Sequence, residues 1–484
     1  MLGVWIIKRD FRLLDNEALY QAVRHCEQVI PLFVFEDILL NSEYTSRFHL
    51  DAMLSALRDL QDNIRKIGGD ILIKDGDIIF VLEEILKSFN ISYIFAHEEI
   101  GVDETFKRDK KLRKWAKSNR IVFNEYSQTG VFRGLKNRDK WQGLWESFMA
   151  QHIVPAPDMI KVPLDYIRQN TLDIDYLKQK LIDNFDCDLL QKVSEKKAHK
   201  TLDTFLKYRG RLYQKSISSP NTAFYHGSRL SVYLAWGTIS PRVVVQKTRQ
   251  RLKELSDDVI FQRSLNAFLG RMYWRDHFIQ RLEMEPEMEF HALNPIFENP
   301  PYKFDKEKLE AWYHGRTGFP LVDACMVCLH KTGFLNFRMR SLVTSFACHV
   351  LHLDWRDINK LLARIFLDFE PGIHISQLQM QAGVVGINVI RVYSPHKQLL
   401  DQDPKLKFVR RWLPELEEIP DEEILNNKNT GIKGYIPVIC DYEKNSKVMK
   451  DYLYSLKKHY KDSETTQRVL KKHGSRRNIF HRQR

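Results

Sequence analysis

Asp368, Glu370 and His374 fall within one short stretch, LDFEPGIHISQLQMQAG, residues 367–383. Two acids and an imidazole beside a Pro-Gly turn admit three chemistries: a metal site, an acid–base pair, or the start of a capped helix. A metal needs more converging ligands than these three, so no metal is expected here. The other two readings stay open on these residues. A second candidate is HGSRLSVYLAWGTISPR, residues 226–242, where Ser228 and Ser231 are good capping residues ahead of a helical run. Backbone N–H groups at such a start suit a phosphate, although on these residues alone a plain capped helix is the favoured reading. A third is RSLNAFLGRMYWRDHFIQRL, residues 263–282. Leu265, Phe268, Leu269 and Met272 mark its apolar face, while Arg271, Trp274, Arg275 and Phe278 share another. Cation plus aromatic clamps a phosphate and stacks on an extruded base. The plain alternative buries Trp274 and leaves the arginines in water.

These residues need elements to hold them. The first 130 residues alternate short apolar runs with helical patterns: residues 3–7, 29–35, 70–76, 91–97 and 120–126 read as strands. The clearest helix is 46–67, whose Leu50, Met53, Leu54, Leu57 and Leu60 keep a period of 3.6. The fold class expected is α/β, with a parallel Rossmann-like sheet whose strand ends suit a small ligand. Residues 131–199 read as an interdomain linker, 200–456 as an all-helical domain, and 457–484 as a solvated basic tail. The 226–242 and 263–282 stretches and the Asp368–His374 stretch all lie in the helical part.

Composition narrows the classes. The chain of 484 residues is 43% hydrophobic and 28% charged, ordinary for a globular protein with two or three cores. No apolar run is long enough to span a membrane, and the N-terminus does not read as a secretion signal, so a cytoplasmic protein is expected. Of the net charge of +13, residues 457–484 carry ten Lys/Arg against two acids, leaving only +5 for the rest. The tail binds nucleic acid without sequence preference at best, so any specific DNA site belongs to the body. Six cysteines in so long a chain are no disulfide framework. Cys325 and Cys328 form C-x-x-C, with Cys348 and Cys440 later, but all read better as free thiols than as iron–sulfur ligands.

Several blocks in register carry more than any one of them. VWIIKRDFRLLDNEAL, GSRLSVYLAWGTISPR, YWRDHF, GRTGFPLVDACM, LDWRD and KQLLDQDP…RRWLPEL resemble, in that order, the signature blocks of the photolyase/cryptochrome family. The resemblance covers residues 1 to about 416. It implies an N-terminal antenna domain and a C-terminal helical domain holding FAD beside a cavity that admits a flipped pyrimidine dimer. It places Tyr213, Gly227, Ser228, Arg229, Leu230 and Ser231 on the FAD, with the serines near its pyrophosphate. Phe268, Arg275, Arg340, Asp368, Phe369 and Glu370 join them, Asp368 pairing with Arg340. His374 falls nearest the flavin N5, where its charge would change near neutral pH. Trp274 is implied as the ring that stacks on the dimer. Arg271, Arg275, Phe278, Phe337, Arg338 and Gln398 are implied around the damaged DNA.

The chain also departs from the family. Arg271 stands where a carboxylate is usual, and Phe337 where an Asn touches the lesion. Of the tryptophan relay to the flavin, Trp355 matches the middle member and Tyr302 the outer, while the inner position is Leu378. The resemblance implies light-driven repair of cyclobutane dimers by electron transfer from reduced FAD. A blue-light photoreceptor of the cryptochrome type is the alternative. Repair of the 6–4 photoproduct, which needs two histidines and finds only His374 and His277, ranks below. A second, antenna chromophore and a monomeric protein are also expected.

Overall fold

The five apolar runs near the N-terminus form one parallel sheet. Its strands are β1 (Leu2–Ile6), β2 (Gln28–Phe35), β3 (Leu72–Asp75), β4 (Ile91–His97) and β5 (Val122–Tyr126), in the order β3-β2-β1-β4-β5. β1 pairs with both β2 and β4, Val4 lying opposite Ile30 on one side and Ile94 on the other. Strands buried on both faces read as continuous apolar runs, which is why the central strands β1 and β2 stand out in the sequence, while the edge strand β5 is partly exposed along its length. The computed structural model describes residues 1–473 apart from Cys187, Tyr302, Lys303 and Asn429.

Connections leave β1 in opposite directions, so the switch point lies at the C-terminal ends of β1 and β4. A cavity of about 130 Å³ opens there, between the sheet and the helical part. Lys8, Arg9, His97 and Glu99 come to it from the strand ends, and Trp236, Arg275 and Phe369 from the helical part. The helix read over 46–67 runs from Arg47 to Lys66 and buries Leu50, Met53, Leu54, Leu57 and Leu60.

Residues 131–199 wrap between the two parts as loops and short helices at Trp141–Ala150, Leu164–Asn170 and Ile174–Ile182. From Glu195 onward every element described is helical. The longest helix, Val259–Met284, starts where the Asp258 carboxylate accepts from Phe261 N at 3.0 Å. It crosses the helix Pro371–Gln381 closely. A Cβ on Gly372 would stand 2.5 Å from Ile279 Cα, so glycine is what lets the two backbones approach. Pro371 at the first helical position pre-sets the backbone of that helix and needs no hydrogen bond there.

The two parts are clamped by buried charge. Arg242 Nη2 lies 2.7 Å and Nε 3.0 Å from the two carboxylate oxygens of Asp15, and Ser240 Oγ donates to the same group. Arg12 donates to the Gly237 carbonyl at 2.9 Å. The residues read as a solvated tail differ from expectation. Residues 457–459 close the helix Tyr442–His459, and Glu464–His473 forms a further helix that buries Val469 and His473. Its apolar residues recur at helical spacing among many charges, which a charge count alone conceals. Among the described residues no helix is long and apolar enough to cross a membrane.

Candidate functional site

The loop from His226 to Ser231 is built differently from a capped helix. Ser231 is the first residue of a five-residue helix, and Leu230, in the cap position, makes no side-chain cap bond. Ser228 Oγ instead accepts from Leu230 N at 3.4 Å. Both serine hydroxyls are therefore spared the capping role the sequence assigned to them. Arg229 holds a left-handed backbone at φ 59°, unusual for a residue with a side chain. Its guanidinium lies 3.7 Å from the centre of the Phe334 ring and 4.6 Å from that of Phe224. Its Nη1 is buried with no hydrogen-bond partner among the described residues. Burial pulls this guanidinium down to about 10, with Asp368 pulling the other way.

Asp368 is engaged from a second side. Arg340 Nη2 lies 2.9 Å from each of its carboxylate oxygens, and Arg340 itself packs 4.0 Å from the centre of the Phe366 ring. Two arginines thus face one carboxylate, so this wall carries net positive charge and an open donor. That fits the pyrophosphate of FAD. Tyr213 and Phe268 are both buried and meet edge to face, centroids 5.8 Å apart, with Phe205 behind them. A Cβ on Gly227 would run into the Ala223 carbonyl, so the loop tolerates nothing larger.

His374 is half-buried, between the rings of Phe366 and Phe369. Its Nε2 lies 3.1 Å from the Asn359 carbonyl, which can only accept, so Nε2 carries the proton. Nδ1 then offers a lone pair. Desolvation, outweighing that hydrogen bond, pulls the imidazole down to about 4. The expectation of a charge change near neutral pH is therefore corrected: the ring stays neutral, because its surroundings offer it no anion strong enough to repay burial. Glu370, at the head of the same helix, is pushed up by burial against the opposing pull of Arg9 and Arg275.

On the Val259–Met284 helix the face read as cation plus aromatic divides. Arg271 is exposed and lies 5.8 Å from the centre of the Phe337 ring, itself 49% exposed. Trp274, three residues along the same helix from Arg271, is half-buried, its ring 5.7 Å from Phe278. Arg338 is half-buried, with Nη2 3.4 Å from Ser218 Oγ. Arg275 does not join this rim. Its side chain is 10% exposed, pairs with Asp276 at 2.6 Å and faces Glu370 at 3.9 Å, on the side of the interdomain cavity. Its assignment to a DNA surface is corrected accordingly. Phe278 and Gln398, also assigned there, are buried; Phe278 backs Trp274, whereas Gln398 is not brought to the rim. One residue's difference in helical phase separates Trp274 from Arg275, which i, i+3, i+4 spacing cannot resolve.

Trp355 is buried with Nε1 unpartnered and Arg356 4.8 Å from its ring centre. Leu378 is buried in the same core. Tyr302 lies outside the described residues. Cys325, Cys328 and Cys348 are buried, their thiols pushed up by desolvation. Among the described residues no group of three or more His, Cys, Asp or Glu is placed to hold a metal. Sequence reasoning missed Phe334, Phe224 and Asn359, which position Arg229 and His374. An aromatic residue just before the Gly-Ser loop was the one available signal for Phe224; Phe334 and Asn359 are remote in the sequence.

Comparison with known proteins meets this geometry at both ends of the chain. Residues 3–134 match the family described as DNA photolyase, and residues 268–472 the FAD binding domain of DNA photolyase. A cryptochrome DASH, chloroplastic/mitochondrial, of Solanum lycopersicum is 28% identical over 462 residues, spanning 87% of this chain and 78% of its own. A deoxyribodipyrimidine photo-lyase of Alkalihalophilus pseudofirmus is 25% identical over 440 residues, spanning 87% and 89%. The crystal structure of an archaeal photolyase from Sulfolobus tokodaii, with two FAD molecules, superposes with a TM-score of 0.80 at 26% identity. It covers 95% of this chain and 100% of that one. With the parallel sheet at one end, the FAD-binding helical domain at the other, and both matched in order, the chain belongs to the DNA photolyase/cryptochrome family.

Proposed function

We propose that this protein uses light to split cyclobutane pyrimidine dimers in DNA. The observation that carries the reading is the exposed rim of Arg271, Trp274 and Phe337 on the helical domain that binds FAD. Reduced FAD, when bound, supplies an electron on absorbing blue or near-ultraviolet light. The residues of the chain do the rest. Arg229, Arg340 and Asp368 hold the cofactor's phosphate side, with the Ser228 and Ser231 hydroxyls available to it. His374 presents a lone pair on Nδ1, which suits a protonated N5 and so favours the reduced cofactor. Trp274 offers a ring to an extruded base, and Arg271 a positive charge to the electron-rich lesion. Phe337 adds a second exposed ring beside that cation.

Two relatives of similar identity carry different names, cryptochrome DASH and deoxyribodipyrimidine photo-lyase. The second reading, a blue-light photoreceptor, is favoured by Leu378 at the inner relay position, which cannot carry an electron hole. His277 counts against 6–4 repair, being turned into the protein between Arg138 and Arg281. The cavity at the ends of β1 and β4 is the place we assign to an antenna chromophore. We also read the protein as a monomer. Arg271→Ala tests the repair reading at the rim. Affinity for dimer-containing DNA is expected to fall about tenfold and light-driven repair with it. Unchanged affinity and repair would remove Arg271 from the account.

A further inference from the structure

The C-terminal half of the Val259–Met284 helix carries cations that the proposed repair does not use. Arg281 is 4% exposed and His277 8%. Arg281 Nη2 and Arg138 Nη1 each lie 3.4 Å from the same atom, His277 Nε2. Both guanidiniums can only donate, so Nε2 accepts and the His277 ring is neutral, with its proton on Nδ1. Arg138 Nη2 also donates to the His277 carbonyl at 2.5 Å. His473, on the last described helix, closes the group. It pairs with Glu285 at 3.0 Å, and Lys472 reaches the same carboxylate at 2.6 Å. Glu285 is thus already engaged by the Lys472 ammonium and the His473 Nε2–H.

What remains is uncompensated. Arg281 Nε and Nη1, Arg138 Nε and His473 Nδ1 are buried without a hydrogen-bond partner among the described residues. A guanidinium does not shed its proton, so the interior holds two facing positive charges with open donors. The effect shows on Arg281: burial, then the neighbouring Arg138, pulls it down to about 9. Burial and the same two guanidiniums hold His277 well below its ordinary value. Water would satisfy the donors but leave the like charges unrelieved. An oxyanion does both.

The shape of the donor set selects among oxyanions. The open donors are three N–H groups on two guanidiniums, Arg138 Nε and Arg281 Nε and Nη1. A planar carboxylate offers two oxygens in one plane, whereas a phosphate offers one to each of the three. Access is by Arg138, which is half-buried where the others are buried. The group also adjoins the rim, since the Trp274 ring lies 4.9 Å from that of His277. We propose that Arg138 and Arg281, on either hand of His277 Nε2, form a binding site for a phosphate-class oxyanion. Two sources share that chemistry: free inorganic phosphate, and a backbone phosphate of a strand whose base stacks near Trp274. The site does not depend on the repair reading, because nothing in its construction involves light, FAD or a lesion.

The test uses the full chain in the dark. Thermal unfolding is followed in inorganic phosphate and in sodium chloride of matched ionic strength. Wild type is expected to gain several degrees in phosphate beyond the chloride control. Arg281→Met keeps the stem and removes the lone charge. It is expected to be no less stable than wild type without phosphate, and to lose the phosphate gain. Arg138→Gln, at the rim, serves should the first variant not fold, and is expected to lose most of the same gain. A second arm measures the salt dependence of binding to undamaged duplex. If a strand phosphate occupies the site, Arg138→Gln makes the log–log slope shallower by about 1. A phosphate gain with an unchanged slope assigns the site to the free anion. No phosphate gain beyond chloride, together with an unchanged slope, overturns the proposal.

Discussion

Arg340 Nη2 stands 2.9 Å from both carboxylate oxygens of Asp368, and Arg229, whose guanidinium shares the Phe334 ring with that of Arg340, is drawn to the same carboxylate. The carboxylate thereby holds two arginines in place while cancelling only one of their charges. That surplus is what the wall offers a pyrophosphate.

Asp368→Asn removes the charge but little volume. Arg229 and Arg340 then lose their common anchor and repel each other. Flavin retained after purification, read as the ratio of absorbance near 450 nm to that of protein at 280 nm (roughly the flavin band and the aromatic band), is expected to fall at least about tenfold. The fold itself should survive, since Arg340 keeps its bond to the Leu335 carbonyl.

His374 sets the second expectation. Its Nε2 proton is committed to Asn359, so Nδ1 is an acceptor, and an acceptor favours a cofactor whose N5 bears hydrogen. His374→Leu is expected to lower the two-electron potential of bound FAD by about 20 mV, the equivalent of one modest hydrogen bond. His374→Asn, which can still accept, should shift it less. Equal potentials in all three proteins would place His374 away from N5.

Buried imidazoles make stability depend on pH. His349 lies at about 4 against an unfolded value near 6.5, chiefly through burial, its Nε2 donating to the Ala382 carbonyl at 3.1 Å. A lowered folded value means the unfolded chain takes up the proton first, so stability falls as pH drops from about 6.5 toward 4. Between pH 7 and pH 5 this costs about 2 kcal/mol. His349→Gln, compared with wild type by urea unfolding at both pH values, should be closer to wild type at pH 5 by about that amount.

The clamp between the two parts supplies a stability test of its own. Asp15 and Arg242 are almost wholly buried, and Asp15 is the carboxylate that meets Arg242. Asp15→Ala strands that guanidinium and is expected to cost about 3–5 kcal/mol of unfolding free energy. Asp15→Asn, which leaves hydrogen-bond acceptors in place, should cost less.

How much of this was legible in the sequence depends on where the information lies. The central strands β1 and β2 were visible because each is an apolar run buried on both faces, and the edge strands because their shorter apolar runs are spaced by helical patterns. The helix Arg47–Lys66 was visible because its period is local. The blocks of the cofactor domain were visible because residue types and order are themselves sequence. Helical phase was not: Arg275 and Trp274 are neighbours in the chain, yet Arg275 lines the cavity between the two parts and Trp274 does not. Nor was the state of His374, which is fixed by a carbonyl fifteen residues away. The group at Arg138 and Arg281 joins segments more than a hundred residues apart, and only the folded chain brings it together.

The claim that this protein repairs DNA is tested most directly by light and lesion together. Reduced protein is illuminated with separate oligonucleotides bearing a cyclobutane dimer or a 6–4 photoproduct, and restoration of base absorbance near 260 nm is followed (roughly the nucleobase band that saturation of the ring removes). The account predicts restoration for the cyclobutane dimer, dependent on light and weakened in Arg271→Ala. No light-dependent restoration with either lesion would contradict it and leave the photoreceptor reading in its place.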